Sequence, residues 1–225
     1  MNLKNDWWKF LGGILILYSI IAGLLIRVPE LPIIYESIRN LFYHVCMWFA
    51  MIIILGISFV NSIRYLRNSS SYVDVLASQA AYTGLLFGFL GITTGMIWAN
   101  FTWGQPWVND PQLNGAAVSI LIYLAYAVLR GSIDEEQKRA RISAVYNIFA
   151  FVLLIVFIGI LPRLAEASIH PGKDGNPGLG VKGLDSNLRL VFYPAILGWV
   201  LIGIWIWKIR VRMHHIKNAL LEHVE

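Results

Sequence analysis

Two histidines and a run of tryptophans are the side chains of this sequence best suited to ligand chemistry. His44 stands in Tyr43–Trp48 (YHVCMW) and His170 in Ser168–Gly172 (SIHPG). A neutral imidazole binds transition metals through one ring nitrogen. The segment 98–114 (WANFTWGQPWVNDPQLN) carries three tryptophans and no lysine or arginine. Such a segment indicates a platform for a flat, apolar ligand.

Composition places these residues in a membrane protein. Of the 225 residues, 57% are hydrophobic and 14% are charged, against about 45–50% and 25% in a soluble domain. The apolar residues form long runs, each about long enough to cross a hydrocarbon core of about 30 Å. We predict an all-α, polytopic membrane protein, a single integral-membrane domain over residues 1–225 with six transmembrane helices. The predicted spans are residues 8–26, 42–60, 76–97, 113–129, 143–161 and 189–207.

The distribution of Lys and Arg predicts the orientation. Twelve of the 18 basic residues lie on one side of the predicted spans, and such an excess marks the cytoplasmic side. Both termini are then cytoplasmic, while the Trp-rich segment 98–114 and the loop 162–188 face the outside with both histidines. The net charge of +5 comes from residues that flank the spans, so it does not indicate binding to nucleic acid.

The shared side of the two histidines favours haem as the ligand. Haem iron takes imidazole ligands, and the faces of the porphyrin need apolar, preferably aromatic, contacts. Trp48 follows His44 by four residues, so on a helix the two lie on one face. Zinc is a weaker interpretation, because zinc sites use three or four protein ligands.

Each of these features also has a purely structural interpretation. Interfacial tryptophans form aromatic belts in membrane proteins, and a single histidine can simply be a hydrogen-bonding residue. Asp110 fits the N-cap of the fourth span, with Pro111 at its first helical position. Ser132 and Glu135 have the spacing of a capping box, which predicts a helix start in the connection 130–142.

The segment Trp103–Pro111 (WGQPWVNDP) resembles the tryptophan-rich WWD signature, W-G-x-x-W-x-W-D-x-R, of the haem-handling proteins of cytochrome c biogenesis. With the segments around His44 and His170, residues 8–208 resemble the family of haem exporter protein C, also called cytochrome c maturation protein C. The departures from the family pattern are Asn109 (a tryptophan there), Gln112 (a basic residue), Asn114 (a threonine) and Cys46 (a proline).

The resemblance implies a haem-binding delivery protein and not an enzyme. It implies that His44 and His170 are the axial ligands of the iron of a transiently bound haem b. The other residues that it assigns to haem binding are Trp48, Trp98, Trp103, Gly104, Trp107 and Asp110. It further implies a bacterial cytoplasmic (inner) membrane location with a periplasmic haem site. The implied partners are a membrane-anchored haem chaperone (cytochrome c maturation protein E), the small single-span protein D and the ABC-type complex of the same system.

Two other functions are compatible with these residues. The chain could be a permease subunit for another small molecule, with the Trp segment only an interfacial belt. It could also be a membrane enzyme that uses Asp110 as a general acid or base, although no second carboxylate or nucleophile lies nearby in sequence. For haem delivery we expect a shallow outer site, with the glycine-rich segment 172–183 letting His170 shift when haem leaves.

Overall fold

The computed structural model describes residues 3–30, 34–171 and 184–222, and all regular elements within these ranges are helical. The α-helices are α1 (Leu3–Leu25), α2 (His44–Asn68), α3 (Ser71–Trp103), α4 (Pro111–Gly131), α5 (Glu136–Leu154), α6 (Leu161–Leu164) and α7 (Ser186–Glu222). A 3-10 helix (Tyr35–Phe42) precedes α2, and a π-helical turn (Ile155–Ile160) joins α5 to α6. The glycine-rich segment 172–183 lies outside the described residues.

Six helical segments within the described ranges are long and apolar enough to cross a membrane. This number confirms the predicted all-α fold with six spanning helices. The segments are Asp6–Leu25, Tyr35–Asn68, Ser71–Trp103, Pro111–Gly131, Glu136–Leu164 and Ser186–Leu221. Their outward faces carry large apolar side chains, such as Leu25, Val128 and Phe149, each at least 70% exposed. A surface of this kind suits contact with lipid tails.

The central pair of helices, α2 and α3, meets through a series of glycines on α3. A Cβ atom added to these glycines would contact a side chain of α2, in the pairs Gly84 with Leu55, Gly88 with Met51, Gly91 with Trp48 and Gly95 with His44. Each step toward the C-terminus of α3 is matched by an equal step toward the N-terminus of α2, so the helices are antiparallel with a fixed register. Small residues let membrane helices approach this closely. The register brings the N-terminal residue of α2 against the last three turns of α3.

Buried polar contacts join the helices toward the other end of this pair. Arg130 at the end of α4 donates two hydrogen bonds to Asp74 in the first turn of α3, at 2.9 and 2.5 Å. The amide of Asn147 on α5 donates to the hydroxyls of Ser58 and Ser62 on α2, at 2.7 and 2.8 Å. Because these groups are paired with one another, they can lie inside an apolar bundle.

The capping box predicted at Ser132 and Glu135 is wrong. The helix α4 continues to Gly131, and Ser132 forms its C-cap, with a backbone N–H that donates to the carbonyl of Val128. The hydroxyl of Ser132 donates to the carbonyl of Leu129 at 2.9 Å. Because Ser132 forms the C-cap of α4, it does not cap the next helix, and α5 begins at Glu136 without a side-chain cap.

Candidate functional site

A cavity of about 370 Å³ lies where α3 ends, among α2, α3, α4, the 3-10 helix and the π-helical turn. Its size is within the range of about 300–1,000 Å³ usual for small-molecule and cofactor sites. The side chains around it that the sequence singled out are His44, Trp48, Trp98, Trp103, Trp107 and His170. Most of the remaining lining is aliphatic. We call this space the aromatic cavity.

His44, the first residue of α2, is held by the backbone of α3. Its Nδ1 lies 2.9 Å from the carbonyl oxygen of Gly91. A carbonyl only accepts hydrogen bonds, so the neutral ring must donate from Nδ1 and carry its lone pair on Nε2. Metal-binding histidines commonly use the second ring nitrogen in this way to fix the tautomer and the ring orientation.

Trp48 packs one turn further along α2. Its ring centroid lies 6.3 Å from that of His44, with an angle of 83° between the planes. The predicted shared face of these two residues is therefore confirmed. Gly91 lies opposite the ring of Trp48, and Gly95 lies opposite the ring of His44. A larger residue at either position would displace the ring that it faces.

The carboxylate of Asp110 holds the segment that carries His170 at the cavity. The carboxylate of Asp110 accepts a hydrogen bond from the hydroxyl of Ser168 at 2.7 Å and one from the backbone N–H of Ile169 at 3.0 Å. The backbone N–H of His170 donates to Ser168 Oγ at 3.1 Å. Asp110 is only 2% exposed, so these bonds are shielded from water. They fix the position of the chain on both sides of Ile169.

Asp110 also caps α4, because its Oδ1 accepts from the backbone N–H of Gln112 at 2.9 Å and Pro111 occupies the first turn. The predicted N-cap is thus confirmed, but it is only part of what the side chain does. Asp110 does not line the cavity itself, and its carboxylate contacts the segment that carries His170.

Burial sets the protonation state of His170. Desolvation lowers the pKa of this histidine below its ordinary value of 6.5, while the nearby charge of Asp110 raises it to a smaller extent. At neutral pH the ring is therefore neutral, which is the form that binds metals.

Trp98, Trp103 and His170 form a connected row of aromatic rings. The rings of Trp98 and Trp103 lie 4.9 Å apart at 74°, and Trp103 lies 6.5 Å from the ring of His170. The indole N–H of Trp98 donates to the hydroxyl of Ser37 in the 3-10 helix at 3.1 Å. Trp98 and Trp103 belong to the last turns of α3, so a helix and not a loop holds this half of the Trp-rich segment.

Gly104 ends α3 in the left-handed conformation, with φ of 78°, which glycine adopts without a steric penalty. It turns the chain so that Trp107 returns to the cavity, but Gly104 itself does not line it. Of the positions that depart from the family pattern, Gln112 lines the cavity, whereas Asn109 is exposed and accepts a hydrogen bond from Asn114. The Cys46 side chain is fully buried away from the cavity.

Some residues of the site were missed by the sequence reasoning. The glycines that seat His44 and Trp48 recur on α3 at helical spacing, a pattern of small residues that marks a close helix contact in membranes. Arg163 lines the cavity from α6. Its charge beside an apolar run was a signal, because an ionisable residue at the edge of a span is a functional candidate.

Comparison with known proteins matches residues 2–160 to the family described as Heme exporter protein C. The Heme exporter protein C of Bradyrhizobium diazoefficiens is 28% identical over 118 residues, which are 52% of this chain and 45% of that protein. A Cytochrome c biogenesis protein CcsA of Prochlorococcus marinus (strain SARG) is 39% identical over 84 residues, 36% of this chain and 26% of that protein. The chain thus spans less than half of the length of these curated relatives. The family match includes His44 and the tryptophans of the cavity and ends before His170.

Proposed function

The chain belongs to the haem exporter protein C family, and we propose that it binds haem b in the aromatic cavity and delivers it to a haem chaperone during cytochrome c biogenesis. The observation that carries this proposal is the arrangement of two imidazoles and four tryptophans around one apolar cavity. The donor set fits haem: His44 has its lone pair on Nε2, and burial keeps His170 neutral. The indoles supply apolar contacts to the porphyrin faces.

The two histidines would hold the iron of the haem, each through one neutral imidazole nitrogen. Trp103 and Trp107 would contact the macrocycle, and Trp48 and Trp98 would supply further apolar lining. Gly104 and Asp110 act on the ligand indirectly, through the turn after α3 and through the His170 segment.

Delivery requires that a partner reach the bound haem. The rings of Trp103, Trp107 and His170 are all only partly buried, and the intervening Gln105 and Pro106 are exposed. This supports a shallow site at the edge of the membrane. From the excess of basic residues on the opposite side, we infer that the site faces the periplasm of a bacterial cytoplasmic membrane. The proposed partners are the chaperone (protein E), the single-span protein D and the ABC-type complex of the same system.

The absorption spectrum of the purified full chain tests the proposal. We expect a Soret band, with a spectrum of two nitrogen ligands that is changed by His44→Ala and by His170→Ala. His215→Ala serves as the control, because this exposed histidine lies on α7 away from the cavity. Haem with an unchanged spectrum in the double variant would assign the ligands to other groups. A protein that takes up no haem would favour the permease interpretation.

A further inference from the structure

Among the described residues that line the aromatic cavity, Arg163 is the one with a fixed charge, and it is exposed. The other polar side chains that line it are neutral amides, a serine hydroxyl and the two histidines, as in Asn40, Gln112 and Ser37. A cation at the border of an otherwise apolar space selects for a ligand with a negative group at that border.

The guanidinium of Arg163 contacts the backbone of the π-helical turn. Arg163 lies on α6, directly after the π-helical turn, and its Nη1 donates to the carbonyl oxygen of Gly159 in that turn. Gly159 lines the cavity as well.

Arg163 keeps hydrogen-bonding capacity for a ligand. In the described part of the chain, the ion pairs are Lys9 with Asp6, Arg39 with Glu36 and Arg130 with Asp74. None of them includes Arg163. A guanidinium has five N–H donors in a planar fork that matches a carboxylate, and the bond to Gly159 uses one of its nitrogens.

We propose that Arg163 binds a carboxylate of the ligand, and that the cavity therefore selects a macrocycle with ionised carboxylate side chains. This inference rests on the proposed function, since haem b carries two propionates. The contact sets the orientation of the macrocycle, with its carboxylate edge at α6 and its hydrocarbon edges against the aromatic and aliphatic lining. Arg163 is a positioning and specificity residue, distinct from the iron ligands.

Two ligands that differ at their two propionate groups, ionised in one and methyl esters in the other, test this role. Iron protoporphyrin IX and its dimethyl ester are titrated into the full chain in detergent, with the Soret band as the readout. For Arg163→Gln we expect an affinity for the acid that is lower by about five- to tenfold, as for a partly exposed charge-assisted bond, and an unchanged affinity for the ester. Arg163→Lys should lie between, because it keeps the charge and loses the fork. Arg67→Gln, at an exposed site on the last turn of α2, is the matched control.

The outcomes separate the two proposals. If the natural protein and Arg163→Gln bind the acid equally well, both with two nitrogen ligands, the role of Arg163 is overturned and the proposed function stands. If Arg163→Gln lowers the affinity for the acid and for the ester equally, that role is also overturned, because Arg163 would then affect the shape of the cavity and not the recognition of a charge. Natural protein that binds neither ligand overturns the proposed function and this inference with it.

Discussion

The carboxylate of Asp110 accepts a 2.7 Å hydrogen bond from the hydroxyl of Ser168, which ties the start of α4 to the segment that carries His170. A residue that only capped α4 would tolerate exchange for asparagine, since both residues cap well. Here the exchange places an amide that carries one acceptor and two donors where three donors converge.

We therefore expect Asp110→Asn to lower the thermal stability and the haem content of the purified protein. An unsatisfied buried donor costs about 1–3 kcal/mol. Asp185→Asn is the control, because Asp185 accepts one bond from the backbone N–H of Asn187 at the exposed start of α7. If both substitutions change the thermal stability and the haem content equally and only slightly, Asp110 acts as a helix cap and nothing more.

Haem binding should fail on the acid side through His170. Burial lowers the pKa of this histidine below 6.5, so the unfolded chain takes up a proton at a higher pH than the native site does. The contribution of the neutral ring to the free energy of unfolding is therefore complete above about pH 6.5, and it decreases as the pH falls below that value. An optical titration should find the two-nitrogen spectrum unchanged between about pH 8 and 6.5 and lost progressively at lower pH. A loss that begins above about pH 7 would contradict this account.

Trp103 should contribute affinity and leave the ligands of the iron unchanged. Its ring contacts both Trp98 and His170, and an aromatic pair contributes about 0.5–1.5 kcal/mol beyond area burial. Trp103→Ala should therefore weaken haem binding by about two- to tenfold, while the positions of the absorption bands stay the same. Trp7→Ala, at a 60% exposed position on α1, should bind haem as the natural chain does. Band positions that shift in Trp103→Ala would show that this residue also holds His170 in place.

A single methyl group on α3 should disturb His44, the proposed iron ligand on α2. A Cβ atom at Gly95 would lie 2.6 Å from Cε1 and 3.0 Å from Nδ1 of His44. We expect Gly95→Ala to displace the ring from the carbonyl of Gly91 and to change the haem spectrum toward that of His44→Ala. Gly13→Ala is the control, because a Cβ at that position of α1 has no neighbour within 4 Å. An unaltered spectrum in Gly95→Ala would mean that α2 and α3 can separate without loss of ligation.

The orientation of the bundle can be tested by cysteine labelling of intact cells. The natural Cys46 is fully buried, so labelling should report on the introduced positions. With an impermeant reagent, cysteines near Trp103 and at Gly175 should react and cysteines near Lys138 should not. The reverse pattern would place the histidines and the tryptophans toward the cytoplasm.

Hydrophobic runs and flanking charges were enough to predict the number of spanning helices, because the lengths of such runs report directly on the bilayer. The relation of His44 to Trp48 was also predictable, since helical spacing decides it. The contacts of Asp110 with Ser168 and Ile169 were not, because they join residues more than fifty positions apart along the chain. No local pattern contains such a pairing.

The end of α3 shows the same limit. The sequence predicts that the Trp-rich segment 98–114 follows the third span as one unit. The helix nevertheless continues through Trp103, because no residue before Gly104 forces the backbone out of it. By sequence, Arg163 is one of the basic residues that flank the spans, and only the fold of the π-helical turn places it at the cavity.

The matched steps of α2 and α3 restrict how this sequence can change in length. One residue added between Gly84 and Gly95 would rotate the rest of α3 by about 100°, and Gly91 and Gly95 would no longer face Trp48 and His44. Substitutions that keep these four glycines preserve the alignment of the two helices, whereas any insertion or deletion in this stretch loses it. Over evolutionary time, we expect the eleven-residue interval from Gly84 to Gly95 and the matching interval from His44 to Leu55 to keep their lengths while the intervening apolar residues vary.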